Sequence, residues 1–219
     1  MPRSEPQDVL FGDKKRKNGR NIAVEEDCQP RYTSPLRRVA DDPSGTVRYW
    51  HLRFPMRFTY IDRITDLEPG HRITATKSLS LTEDYLKDHF PRFPIMPGVL
   101  MLEAMYQTAA WLVRATDEFA HSMVMLSEAN NVKYSDFVEP GETLQVTAEL
   151  IEQKEQTYRL KCHGEVGGGV AVRGRLVLNA YLLSEEGLET GIVDRRLIRL
   201  LREKFQILYP SWPGESNAN

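Results

Sequence analysis

Cysteine is scarce in this chain of 219 residues: only Cys28 and Cys162 occur, too few for a disulfide framework or a structural zinc site. That excludes small stapled scaffolds and fits a reducing compartment. An excess of one charge is also missing. Lys and Arg number 29 against 31 Asp and Glu, a formal net charge of -2, which argues against a nucleic-acid binder and against a disordered acidic chain. Long hydrophobic runs are lacking too. The one stretch of nearly membrane length, Ile95 to Val113, is broken by Pro97, Gly98, Glu103 and Gln107. A carboxylate near mid-span costs roughly 2.5–3.5 kcal/mol on insertion scales, so a buried soluble helix is expected there. Met1 to Glu5 lacks the apolar core of a secretory signal. No metal-ligand cluster stands out, and the expectation is a cytoplasmic protein without a metal.

What is present centres on residues 89–107. Three prolines, at 91, 94 and 97, stiffen a loop, and each pushes the residue before it towards extended geometry. His89 therefore belongs on a rigid loop. Pro97 is expected at the first helical position, with Gly98 beside it allowing close approach to the backbone. From Val99 to Val113 the sequence is apolar nearly all round, so this helix needs cover on every side.

Residues 1–50 are polar, with scattered prolines and no sustained period, and read as an arm of little regular structure. Its run Lys14 to Lys17 is balanced by Glu25 to Asp27 and by Asp41 and Asp42. A β-rich pattern is expected over Met56 to Asp62, then a turn at Pro69-Gly70 and a strand from His71 to Leu81. Beyond the helix, Met123 to Leu126 and Val132 to Val138 are short strand candidates, the second stopping at Pro140-Gly141. Three alternating segments follow, around Leu144 to Leu150, Tyr158 to Val166 and Val170 to Leu182, each with one dry face. Gly167 to Gly169 and Glu152 to Gln156 separate them at hairpin distance, which favours antiparallel neighbours. No helix and no Lys-Ser/Thr pair follow the glycines, so they are no phosphate loop. The expected fold is α+β, a curved antiparallel sheet wrapped around the central helix. Val193 to Leu208 has apolar residues 197, 200, 201, 205 and 208 at helical spacing among arginines, an amphipathic helix expected to pack on the domain.

The runs His89-Phe90-Pro91, Met96-Pro97-Gly98-Val99-Leu100 and Glu103-Ala104-Met105, with Tyr60 to Arg63, Pro69-Gly70 and Val138 to Glu142, resemble the hot-dog-fold 3-hydroxyacyl-acyl-carrier-protein dehydratases of the FabZ type. The likeness runs from about Phe54 to Leu183. Together with the composition it divides the chain into an arm at 1–50, a hot-dog domain at 51–183 and a C-terminal extension at 184–219. It also implies a homodimer, or an oligomer of dimers, in which His89 of one protomer faces Glu103 of the other. An acyl carrier protein is the implied partner, and no cofactor is needed beyond the phosphopantetheine on that carrier.

The chemistry suits the residues. Removing water across C2 and C3 needs a base for the C2 proton, for which neutral His89 serves, and an acid for the hydroxyl, for which a desolvated Glu103 serves. The amides of Gly98 and Val99, at the positive end of the helix, can hold the thioester oxygen, and Gln107 can orient Glu103. Phe93, Met96 and Tyr106 are candidates to line the loop or the acyl tunnel. Arg92, Phe93 and Tyr106 depart from the family pattern. Arg92, Lys87, Arg199 and Arg202 could complement an acidic carrier. A hot-dog thioesterase and a non-catalytic acyl-binding subunit are the alternatives.

Overall fold

In the computed structural model the described residues are 59–185, 187 and 191–212, all within one compact unit. The expected arm at 1–50 lies outside the described residues, as do His51, residues 56–58 and the end of the chain from 213.

Six strands form one antiparallel sheet: β1 (Arg63–Glu68), β2 (Arg72–Ser78), β3 (Met123–Tyr134), β4 (Thr143–Lys154), β5 (Thr157–Val166) and β6 (Gly169–Tyr181). Their order is β1-β2-β4-β5-β6-β3. Two helices complete the fold, α1 (Gly98–Thr116) and α2 (Gly191–Leu208). The three alternating segments become β4, β5 and β6 because alternate residues, such as Leu144, Val146 and Ala148, are buried while their neighbours face out. Gly167 and Gly168 join β5 to β6 with φ of 58° and 84°, the two-residue turn that needs positive φ at both positions.

Helix α1 packs against β2, β3, β4, β5 and β6. Five strands at about 4.8 Å spacing are far wider than one helix of about 10 Å, so only a sheet that curls can touch it throughout. Register shifts help that bend, at Leu126/Glu128 and Asn130/Lys133 in β3, Leu150/Glu152 in β4 and Gly164/Glu165 in β5. The hot-dog arrangement follows from a helix that cannot tolerate a wet face and a sheet with one dry face.

Three expectations change. Of the β-rich stretch expected at 56–62, the described residues 59–62 are not strand, and β1 starts at Arg63, an edge strand with Ile64 as its one fully buried residue, so periodicity could not reveal it. The two short strands after the helix are one, β3, because bulges absorb its polar middle. Pro97 caps α1 instead of opening it: its ψ of 137° is extended, and Gly98 is the first helical residue.

Helix α2 buries Asp194, Leu201, Phe205 and Leu208, a stripe at helical spacing, while Leu200 faces solvent. Phe205 sits among Trp111, Phe119, Tyr209 and Trp212, with ring centres 5.3–6.2 Å away. Arg202 donates to the Glu118 carbonyl at 2.9 Å and lies over the Phe119 ring. Packing on the domain is thus what this helix does. Among the described residues no helix is long and apolar enough to cross a membrane.

Candidate active site

A single-turn 3-10 helix, Asp84–Lys87, delivers the chain to His89, whose N–H donates to the Tyr85 carbonyl at 3.0 Å. The loop then closes on itself. Phe90 and Phe93 exchange both main-chain hydrogen bonds, the Ile95 N–H donates to the His89 carbonyl at 3.1 Å, and the Met96 N–H donates to Val138 at 2.9 Å. The His89–Phe90 peptide is cis, and the two rings stack 4.3 Å apart. The prolines remove donors and fix φ, which leaves these few bonds to set the loop's shape.

That shape fixes the histidine's chemistry. His89 Nδ1 lies 3.1 Å from the Ile95 carbonyl oxygen. A carbonyl only accepts, so Nδ1 carries a proton, and in the neutral ring the lone pair falls to Nε2.

Two residues beyond Met96 the helix begins. The N–H groups of Gly98 and Val99 have no hydrogen-bond partner among the described residues, and they stand at the positive end of α1 with no acidic side chain in its first turn. A Cβ at Gly98 would come 3.0–3.2 Å from the Tyr134 ring, so any larger residue would require that ring to shift.

Glu103 follows one and a half turns on, half-buried in the single chain. Gln107 Nε2 donates to Glu103 Oε1 at 2.7 Å, and Gln107 Oε1 accepts the Tyr60 N–H at 2.7 Å. Because a main-chain N–H can only donate, the orientation of the Gln107 amide is settled and one carboxyl oxygen of Glu103 is pinned. His89 and Glu103 are not hydrogen-bonded to each other within the chain.

The remaining candidates divide. Met96 is buried in the core at 1% exposure, while Phe93 is 48% exposed and meets Phe137 edge-on. Tyr106 is half-buried and donates to the Val124 carbonyl at 2.9 Å. Arg92 and Lys87 are exposed, the latter paired with Asp84. His121 is bound by Asp117 at 2.9 Å, and Asp117 also accepts the Tyr158 hydroxyl. Cys162 is a buried free thiol that burial pushes above the usual thiol range. Among the described residues no group of side chains could hold a metal ion.

Two residues that hold the candidate groups in place escaped sequence reasoning. Tyr60 holds Gln107 through its N–H and Tyr85 through its hydroxyl at 2.7 Å, while the Tyr85 carbonyl holds His89. Burial raises both hydroxyls above the usual tyrosine value. This tie spans 25 residues of sequence and has no periodic signature.

The FabA-like domain matches residues 53–175. The FabZ 3-hydroxyacyl-[acyl-carrier-protein] dehydratase of Levilactobacillus brevis is 34% identical over 119 residues, covering 54% of this chain and 79% of that protein. The FabZ of Pediococcus pentosaceus is 36% identical over 115 residues, with 52% and 76% covered. That of a Janthinobacterium species is 30% identical over 153 residues, with 68% and 97% covered. On the extent of these matches and the fold they span, this chain belongs to the FabA-like family.

Proposed function

We propose that this protein dehydrates 3-hydroxyacyl thioesters borne by an acyl carrier protein to trans-2-enoyl thioesters, in fatty-acid or related lipid biosynthesis. The observation that carries the reading is the opposed preparation of two groups: His89 with Nε2 set as a proton acceptor, and Glu103 with one oxygen pinned by Gln107 and the other left for a proton. His89 removes the C2 proton, and the electrons move to form the C2–C3 double bond. Glu103 protonates the departing 3-hydroxyl, which leaves as water. The Gly98 and Val99 amides receive the charge that gathers on the thioester oxygen.

Within one chain the two groups are not bonded, and the reading joins His89 of one protomer to Glu103 of another in a homodimer. The carrier's phosphopantetheine arm brings the substrate, and the protein itself needs no cofactor. A cytoplasmic location is part of the same reading, supported by the free thiol of Cys162.

The test is incubation of the purified protein with a 3-hydroxyacyl thioester and, separately, a 2-enoyl thioester, following interconversion and thiol release together. Reversible interconversion without thiol release is expected. Thiol release alone would make the protein a thioesterase, and neither activity, with tight binding, an acyl-binding subunit.

A further inference from the structure

Of the buried charged side chains Lys77, Arg114 and Asp194, one has no hydrogen bond or ion pair among the described residues. Arg114, in the last turn of α1, is only 9% exposed. Among the described residues its guanidinium has no hydrogen bond and no ion pair, and its Nε is wholly covered. Its close neighbour is the face of Trp111, 5.1 Å from the ring centre. Lys204 of α2 adds a second cation: burial, and then the charge of Arg114, holds its ammonium below the usual lysine range. Burial likewise depresses Arg114, to about 10. An unpaired buried cation is strongly unfavourable, and a like charge beside it adds to the penalty. A buried guanidinium with no acid partner among the described residues, and a lysine close enough to feel its charge, form a site for an anion.

The position along α1 indicates which anion. Glu103, Gln107, Ala110 and Arg114 are spaced 4, 3 and 4 residues apart, so they lie on one line along the helix. Eleven residues put Arg114 about 16 Å from Glu103 along the axis. Between them Ala110 has the smallest side chain of the line, and Tyr106 feels the charges of both Arg114 and Glu103. Above the far end, Phe205 of α2 packs on Trp111 and closes that face of α1. An acyl chain whose C2–C3 bond is held at Glu103 and which follows this line ends at the guanidinium.

We infer that Arg114, with Lys204, binds a carboxylate at the far end of the acyl group, making the preferred substrate a 3-hydroxyacyl thioester of a dicarboxylic acid. The assignment rests on the dehydratase reading for the reacting end and on Arg114 for the tail.

The experiment compares kcat/KM for two 3-hydroxyacyl thioesters of matched length, one ending in a methyl group and one in a carboxylate. The carboxylate-ended substrate should be preferred at least tenfold, and Arg114→Met should cut that ratio tenfold or more. Lys204→Met should cut it less, and Arg114→Lys should keep most of it. A preference for the methyl end, or a ratio unmoved by Arg114→Met, overturns the inference. Should Arg114→Met not fold, the wild-type ratio and Lys204→Met decide. An unmoved ratio with loss of self-association assigns the anion to a second copy of the chain and overturns it equally. If neither substrate turns over, calorimetry with the matched saturated thioesters separates the two readings. Tighter binding of the carboxylate-ended ligand supports the tail site although the dehydratase reading falls; equal or weaker binding overturns the tail site.

Discussion

The two ends of α1 are built to opposite rules. At its start Val99 is 69% exposed, the Gly98 and Val99 amides have no partner among the described residues, and Glu103 is held on one side only. At its end Trp111, Leu112 and Val113 are buried, Phe205 of α2 packs on Trp111, and Asp117 is shared between Tyr158 and His121. The first end leaves hydrogen-bonding capacity open and the second closes it, Arg114 excepted. One helix can thus present unsatisfied groups to a substrate because its other end is anchored by aromatic packing. Substitutions at the two ends should separate activity from stability.

The largest effects belong to the open end. His89→Ala and Glu103→Ala should each lower kcat/KM by about 10²–10⁴-fold, the usual worth of a positioned acid or base, with the thermal midpoint nearly unchanged. Near-normal turnover in either would remove it from the chemistry, and a large loss of stability would break the contrast itself.

Phe205→Ala at the closed end should do the reverse. Truncating a buried aromatic costs about 3–5 kcal/mol, visible in denaturant titration, while kcat per folded molecule holds. A fall in kcat at full folding would show that α2 reaches the reacting groups.

Gln107→Leu tests how Glu103 is set. Losing a hydrogen bond to a carboxyl is worth about 1.5–3 kcal/mol, a ten- to hundredfold fall in kcat, with KM changed less. If KM alone rises, Gln107 only packs.

The smallest effect concerns Asp194, which joins α2 to the end of β6. Burial alone would raise its carboxyl, but the Ser122 hydroxyl and the N–H groups of Ser184 and Leu183 outweigh this and hold it below the usual carboxylate range. The unfolded chain thus takes up this proton at a higher pH than the folded one. Its contribution is complete well above a pH of about 4 and is lost as the pH falls through the lowered value. Acid unfolding followed by circular dichroism should show this slope flattened in Asp194→Asn. An unchanged slope would place the acid sensitivity elsewhere.

Much of the fold was legible where burial follows a period. Strands β4, β5 and β6 alternate in sequence because one face is dry, and the apolar run after Pro97 marks α1. Strand β1 was not legible, since an edge strand with one fully buried residue carries no alternation, and β3 read as two because its bulges interrupt the period. In the candidate site, His89 and Glu103 follow from the resemblance to the dehydratases, and Gly98 and Gln107 from their places on the helix relative to them. Tyr60 and Tyr85 could not, because their roles use a main-chain N–H, a carbonyl and a hydroxyl contact that no local pattern encodes.

By itself the sequence determined that His89 stands on a stiff loop, that Glu103 and Gln107 share a helix face, and that the helix needs cover, since proline geometry and helical spacing are local properties. Only the tertiary structure decided the proton's place on His89, the orientation of Gln107 and the isolation of Arg114. Each depends on what folding brings near or keeps away: the Ile95 carbonyl across a closed loop, the Tyr60 N–H ahead of β1, and the packing that buries Arg114 with no acid partner among the described residues.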